Sequence, residues 1–371
     1  MGKIRIGVNA LYLIPGGVGG TEIYLRNLLI ALAAIDSENE YHVFTNRETG
    51  PGLVPEAPNF RPAPQPVRAA FRPARLAWEQ LGLPAPVRFR KLDVLFNPGF
   101  TAPAHCACPT VTVFHDLQHK RYPEHFRWFD LPFWNLFLWQ AARTSRALIA
   151  VSQATATDLE HFYPATRGKI EVVHHGVEER FFAAGRGRGE TEPVVLCVST
   201  LHPHKNLERL IRVFARFRER RGEYRLVLAG LRGFHATAIE TLIEDLKLSD
   251  AVELTGWIPR EQLCTLYGQA RAVAYPSTFE GFGLPVLEAL AAGVPTACSS
   301  IPPLREVAGD ASLLFDPEDE EAMLSALDRV TSDATLRERL AREGPSRAGQ
   351  FSWAESARKT LAVLRRAADR V

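Results

Sequence analysis

Short apolar runs alternate along this chain with longer stretches whose apolar residues return every three or four positions. The first such run, Ile4–Val8, reads as a parallel strand buried on both faces, and the stretch opened by Thr21-Glu22 carries Leu25, Leu28, Leu29 and Leu32 at helical spacing. Tyr41–Thr45, Asp93–Asn97, Val111–Phe114, Ala147–Val151 and Ile170–His174 continue the series as strands, with Gly176-Val177 closing it. A second series starts at Val194–Val198, followed by a helix carrying Leu207, Leu210, Ile211, Phe214 and Phe217 on one face. Leu226–Ala229, Val252–Leu254 and Ala272–Tyr275 are further strands, Leu284–Ala292 is a helix, and helices run from about Asp319 to a last one beginning at Trp353. Alternation that stops and restarts is the pattern of two α/β units, each a parallel sheet covered by helices. The glycine-rich Gly185–Gly189 reads as the linker between them.

Two stretches leave alternatives open. Residues 51–91 are rich in Pro and Arg, with seven basic residues (Arg61, Arg68, Arg72, Arg75, Arg88, Arg90, Lys91) against Glu56 and Glu79. Within them Arg72–Leu83 reads as an amphipathic helix bearing Leu76, Trp78 and Leu81. The segment is either a solvated connector, the preferred reading, or a contact to an anionic membrane surface or lipid-linked acceptor. Phe126–Trp139 is the most aromatic segment. Packing in a core is its preferred reading, because aromatic stripes are generally core; an apolar acceptor or membrane groove is the other.

Composition narrows the function. A chain of 371 residues is long enough for two cores. A net charge of +2 gives no case for nucleic acid, and no apolar run approaches the roughly 20 residues of a membrane span. The five cysteines (106, 108, 197, 264, 298) are scattered and odd in number, and C-A-C is not a usual zinc spacing, so reduced thiols and no metal site are expected. No charged-then-apolar leader opens the chain, and a cytoplasmic protein is expected, with peripheral contact to the inner membrane face if the basic segment serves that purpose.

The candidate chemistry lies in the loops after strands. Ser277–Pro295 reads S-T-F-E-G-F-G-L-P-V-L-E-A-L-A-A-G-V-P. It places Gly281 and Gly283 in a turn before a helix whose first turn holds Pro285, where a missing N–H costs nothing. Such a turn presents unpaired amides to an anion, while Glu280 and Glu288, eight residues apart, suit hydroxyls. A phosphate plus several hydroxyls describes a sugar nucleotide. An ordinary strand–turn–helix with two surface glutamates is the competing reading of this stretch alone. Lys205, in the loop Ser199–Asn206, stands beside the next helix N-terminus and reads as a diphosphate contact, against the plain alternative of a surface lysine. His115-Asp116 sit just past the C-terminal end of a strand, where open α/β sheets bind ligands. The glycines of Pro15–Gly20 admit a dinucleotide reading, but the second strand ends in Thr45-Asn46-Arg47 without the acid that reading needs.

Glu280–Glu288, E-G-F-G-L-P-V-L-E, with Tyr275-Pro276-Ser277 before it and Ala289–Pro295 after it, resembles the E-x7-E motif of the retaining glycosyltransferases of family 4, which have the GT-B fold. The similarity extends to Thr200–Asn206, to Gly256-Trp257-Ile258-Pro259 and to Leu304–Ala311. It implies two Rossmann-like domains facing each other across a cleft: 1–184 for the acceptor, with the last helix of about 352–371 packing back on it, and 190–351 for the donor. It further implies Gly16 and Gly17 over the donor diphosphate, His115 positioning the donor sugar, and Ser199 and Lys205 in the diphosphate loop. Ile258 would lie near the base and Glu288 on the ribose. The backbone of Gly281, Phe282, Gly283 and Leu284, with Glu280, would hold sugar hydroxyls or phosphate. His115 and Glu280 are the candidate catalytic pair. Many members carry an Arg where Thr200 stands here, with His202 or His204 as partial replacements. The expected activity is metal-independent retaining transfer of a hexose to a hydroxyl on a glycan, lipid-linked or small-molecule acceptor, in polysaccharide biosynthesis. GDP-mannose is the first donor choice and a UDP-sugar the second. A sugar-nucleotide epimerase and a non-catalytic nucleotide-sugar-binding protein are the readings of other classes.

Overall fold

The computed structural model describes residues 2–17 and 19–369 and divides into two compact units, Met1–Gly176 with Ser352–Val371, and Val177–Phe351. The first unit is built on seven parallel strands: β1 (Arg5–Asn9), β2 (Glu40–Phe44), β3 (Phe60–Pro62), β4 (Val94–Asn97), β5 (Thr110–Phe114), β6 (Ala147–Ala150) and β7 (Ile170–Val172). Their order across the sheet is β3-β2-β1-β4-β5-β6-β7, so the direction of winding reverses between β1 and β4. The second unit has six: β8 (Glu192–Val198), β9 (Arg225–Ala229), β10 (Val252–Gly256), β11 (Ala270–Tyr275), β12 (Thr296–Ser299) and β13 (Leu313–Phe315), ordered β10-β9-β8-β11-β12-β13. Its reversal lies between β8 and β11. Both are doubly wound Rossmann-like sheets, and a ligand is expected beyond the carboxyl ends of the strands flanking each reversal.

The central strands are apolar because helices cover both faces, while the edge strands β3, β7 and β10 carry exposed polar residues. Val94–Asn97 and Thr110–Phe114 are buried at every position. Helices start where a side chain can take up a free amide. Ser152, Asp319, Asp333 and Ser352 each accept the backbone N–H three residues ahead. The last of these opens the helix Trp353–Ala368, which belongs to the first unit. Gly176 lies against its start so closely that a Cβ would stand 2.1 Å from the Trp353 amide nitrogen.

The division between the units falls at Gly176–Val177, ahead of the glycine-rich run expected to link them. Residues 179–186 form the helix Glu179–Arg186 inside the second unit, with Phe181 fully buried. Gly185 is needed there, since a Cβ would meet the Ala292 backbone at 2.9 Å. Within the run Gly185–Gly189, Gly185 is thus packed chain whose missing side chain serves close approach, while Gly187 and Gly189 are exposed with room for a Cβ.

The basic segment folds differently from a simple amphipathic helix. The helix Arg72–Ala77 passes into a π-turn, Trp78–Gly82, closed by the Leu83 amide on the Trp78 carbonyl at 2.8 Å. The extra residue in the turn rotates the side chains after it away from a regular helical stripe. Leu81 ends 82% exposed, whereas Glu79 and Arg75 turn inward and are buried. The aromatic segment is also turned out more than a core helix would be. In the helix Leu131–Thr144 only Leu138, Ala141 and Ala142 are fully buried. Phe133, Leu136 and Trp139, three residues apart, form an exposed outer stripe that Trp128 and Phe129 extend. One face suffices to cover the sheet edge, and the aromatic residues are spread over both. All five cysteines are free thiols.

Candidate active site

The second unit gathers its charges at the carboxyl end of β8 and β11. After β8, Ser199 pairs in the sheet through its amide to the Ala229 carbonyl, and its hydroxyl donates to the Thr200 carbonyl. The loop then makes a single 3₁₀ turn, Pro203–Lys205, and Asn206 takes a left-handed conformation at φ 56°. The Asn206 side-chain amide donates to the Pro276 and Pro317 carbonyls at 3.1 and 2.8 Å, pinning the loop to the one after β11. The Thr278 amide and Ser277 hydroxyl both donate to the His204 carbonyl, at 2.8 and 3.1 Å. These ties bring Lys205 onto Glu280, Nζ to Oε1 2.5 Å, across 75 residues of sequence. The Tyr275 hydroxyl donates to the same carboxylate oxygen at 2.7 Å. Burial beside Glu280 holds the Tyr275 phenol well above its usual pKa, so it remains a donor. The His202 and His204 rings stack at 5.9 Å next to Thr200, with Phe234 on His202.

The turn ahead of the helix Leu284–Ala291 depends on Gly283, at φ 111°. A Cβ there would stand 2.5 Å from Leu304 Cδ2. Phe282 is buried against Phe351, so it offers a ligand only its backbone. The helix end supplies the positive end of the dipole and its first-turn amides.

Glu288 lies one turn further along that helix and is 3% exposed. It receives Arg260 Nη1 at 2.8 Å on one oxygen and the Tyr267 hydroxyl at 3.2 Å on the other. Arg260 also pairs with Glu178 and lies over the Phe181 ring at 4.7 Å. Burial pushes the Glu288 carboxyl up, and Arg260 opposes that shift. The guanidinium is itself held above its ordinary value, because the two carboxylates outweigh its own desolvation. Sequence reasoning missed Arg260, Tyr267 and Glu178. A faint signal was present: Arg260 is the first residue of the helix Arg260–Gln269, directly after Gly256–Pro259, where a cation opposes the helix dipole and needs a carboxylate to hold it. Ile258, in that turn, is half-buried beside the exposed Trp257.

In the first unit the candidate after β5 is a buried imidazole. His115 follows β5 and is 7% exposed; its Nε2–H donates to the Pro98 carbonyl at 2.8 Å. The ring is packed by Tyr24 at 4.9 Å, Phe100 at 5.1 Å and His175 at 5.7 Å. Burial pushes its pKa down to about 4, so it is a neutral imidazole at pH 7. A neutral ring can position a hydroxyl through Nδ1 but cannot balance a diphosphate charge. Gly16, at φ 71°, donates its amide to Glu22 Oε2 at 2.8 Å, and Gly17 donates to the Ile14 carbonyl at 2.9 Å, forming the loop between β1 and the helix Gly20–Ile35. Beside β1, Glu79 accepts from Asn9 at 3.0 Å and from Thr101 at 2.9 Å; burial raises its pKa against the pull of Arg75. This buried carboxylate is brought in by the π-turn and has no sequence signature. Among the described residues no group of three or more His, Cys, Asp or Glu side chains could hold a metal ion.

Two doubly wound parallel sheets in one chain are the architecture of the GT-B fold. The model for glycosyl transferases group 1 matches residues 179–347, and that for glycosyltransferase family 4 matches residues 18–181. An O-antigen chain mannosyltransferase B from Escherichia coli is 29% identical over 303 residues, covering 78% of this chain and 77% of that protein. An MMP alpha-(1->4)-mannosyltransferase from Mycolicibacterium hassiacum is 28% identical over 95% of this chain and 96% of its own length. Among solved structures, sucrose-phosphate synthase from Thermosynechococcus elongatus superposes with a TM-score of 0.81 at 20% identity, covering 98% of this chain and 99% of that one. Anabaena Alr3699/HepE, in complex with UDP and glucose, gives 0.72 at 19% identity, covering 98% and 99%. The chain belongs to glycosyltransferase family 4, where it resembles the bacterial mannosyltransferases, and it is a hexosyltransferase of glycan biosynthesis.

Proposed function

We propose that the enzyme transfers mannose from GDP-mannose to a hydroxyl of a growing glycan, with retention of configuration. The observation that carries the donor-site part of this reading is the convergence of Lys205, Tyr275 and Glu280 at the carboxyl edge of the second sheet. Lys205 is paired with Glu280. A donor diphosphate competes for that ammonium, and Glu280 is then free to accept from a sugar hydroxyl. Cleavage of the sugar–phosphate bond builds negative charge on the diphosphate. Lys205 and the amides before Leu284 stabilise that charge where it grows, so they contribute to the rate as well as to binding. Glu288 keeps two oxygens oriented by Arg260 and Tyr267, and its remaining lone pairs accept from the ribose hydroxyls. His115, neutral, positions the transferred sugar, and the leaving phosphate accepts the acceptor's proton on the same face.

The choice of mannose rests on two relatives named as mannosyltransferases. A UDP-sugar is the second reading, favoured by the neighbour solved with UDP and glucose. A donor panel with product analysis separates them: turnover with GDP-mannose supports the first, and turnover confined to a UDP-sugar overturns it. No helix of the described residues is long and apolar enough to cross a membrane. The exposed stripe Phe133–Trp139, with Trp128 and the exposed Arg61, Arg68, Arg72 and Arg88, would instead lie on an anionic bilayer surface, bringing the enzyme to a lipid-linked acceptor.

A further inference from the structure

At the end of the second sheet away from Glu280, the chain forms a cavity of about 570 Å³. It lies where β11 begins and the helix Leu284–Ala291 ends, so the length of that helix, about 12 Å, separates it from the donor loop. Its walls are mostly apolar, with Phe182 and Pro345 among them, but four arginines line it: Arg186, which pairs with Glu179, and a group of three, Arg188, Arg271 and Arg337. None of the three has a carboxylate partner among the described residues; Glu190 also lines the cavity and is exposed. Arg188 reaches the Gly293 and Ala270 carbonyls, and Arg271 reaches the Thr331 carbonyl and the Thr191 hydroxyl at 3.3 Å each. Those bonds account for two guanidiniums as caps on helix and strand ends. They do not account for Arg337, whose Nε is buried and has no hydrogen-bond partner among the described residues. The Nε of Arg188 is likewise buried and without a partner among them.

Three like charges around one apolar cavity repel each other, and burial increases the cost. Burial, then Arg337 and Arg271, push Arg188 down to about 10. An arginine present only for packing could be replaced by an uncharged side chain with a gain in stability. An oxyanion between the three guanidiniums would remove the repulsion and fill planar donor forks suited to phosphate.

We propose that this cavity is a second anion site, distinct from the donor site, which takes the phosphate group of a small phosphorylated molecule on Arg188, Arg271 and Arg337 with its apolar part against Phe182 and Pro345. The glycine-rich run 185–189 carries Arg188 into the cavity wall, which gives that run a purpose a linker would not have. The site stands whichever sugar nucleotide is the donor.

Thermal melts with pyrophosphate and with inorganic phosphate test it, on wild type, Lys205→Ala, Arg337→Gln and Arg337→Lys. Lys205→Ala removes the main cation of the donor site, which also binds diphosphates. Expected is a rise of about 2–5 °C at saturating pyrophosphate. That rise persists in Lys205→Ala; made in the Lys205→Ala background, Arg337→Gln abolishes it and Arg337→Lys reduces it. Without anion, Arg337→Gln melts no lower than wild type, because relief of the repulsion offsets the loss of the side chain. Inorganic phosphate giving the same plateau would identify the free ion as sufficient; a larger rise with pyrophosphate would identify an esterified or condensed phosphate as the better ligand. No rise in wild type, a rise lost in Lys205→Ala, or an undiminished rise when Arg337→Gln is added to Lys205→Ala each overturns the proposal.

Discussion

The two units share a sheet type and a place for ligands, yet they hold opposite kinds of site. The second ends in paired charges: Lys205 on Glu280, and Arg260 between Glu288 and Glu178. The first ends in a neutral imidazole wrapped by aromatic rings. A donor with a diphosphate and a ribose requires fixed charge, and charge taken from water must be paired when the ligand is away. A sugar to be oriented requires shape and neutral hydrogen bonding. The units should therefore break in different ways.

The largest effect is expected from Arg260→Ala. It leaves Glu288 buried without its cation, while Glu178 keeps Arg180, and stability should fall by about 3–5 kcal/mol, measured by urea denaturation; a loss below about 1 kcal/mol would mean the Arg260–Glu288 pair is not structural. Lys205→Ala should lower kcat/KM by roughly 10²–10³, as for removal of one donor to a developing anion. If only KM changed, Lys205 would bind ground state and transition state alike. Gly283→Ala forces a side chain into positive φ and into Leu304, and should cost about 2–4 kcal/mol with loss of donor binding.

The first unit should respond to pH. The folded-state pKa of His115, about 4, lies below the ordinary histidine value of 6.5, so its contribution is present above pH 6.5 and is lost as pH falls toward 4, where the unfolded chain takes up the proton first. The effect is up to about 3 kcal/mol. His115→Asn should flatten the fall in melting temperature between about pH 7 and 5 while leaving nucleotide binding unchanged. The smallest expected effect is at the surface. Trp128→Ser with Trp139→Ser should leave kcat on a soluble acceptor unchanged and weaken co-sedimentation with anionic vesicles; unchanged sedimentation removes the membrane reading.

Both sheets were legible in the sequence because buried parallel strands are short apolar runs and the turns between them carry glycine. The positions of Glu280, Glu288 and Lys205 were legible for a related reason: each sits at a fixed offset from a glycine or a helix start. Arg260 and Glu178 were not, because their pairing joins residues 82 apart that no local pattern links. The inward turn of Arg75 and Glu79 was hidden because both are charged, and the outward turn of Leu81 because a helical period cannot register the extra residue of the π-turn. The aromatic helix misled in the other direction. Aromatic content reads as core, but exposure depends on how many faces the neighbouring sheet can cover, and here it covers one.

The most direct test is calorimetric titration of GDP and UDP, without metal, into wild type and Glu288→Gln, with melts to show that the variant is folded. One nucleotide is expected to bind the wild type, and the variant to weaken it by roughly 1–3 kcal/mol, the worth of a hydrogen bond to a charged group. Equal affinity in the folded variant would contradict a donor site built on Glu288.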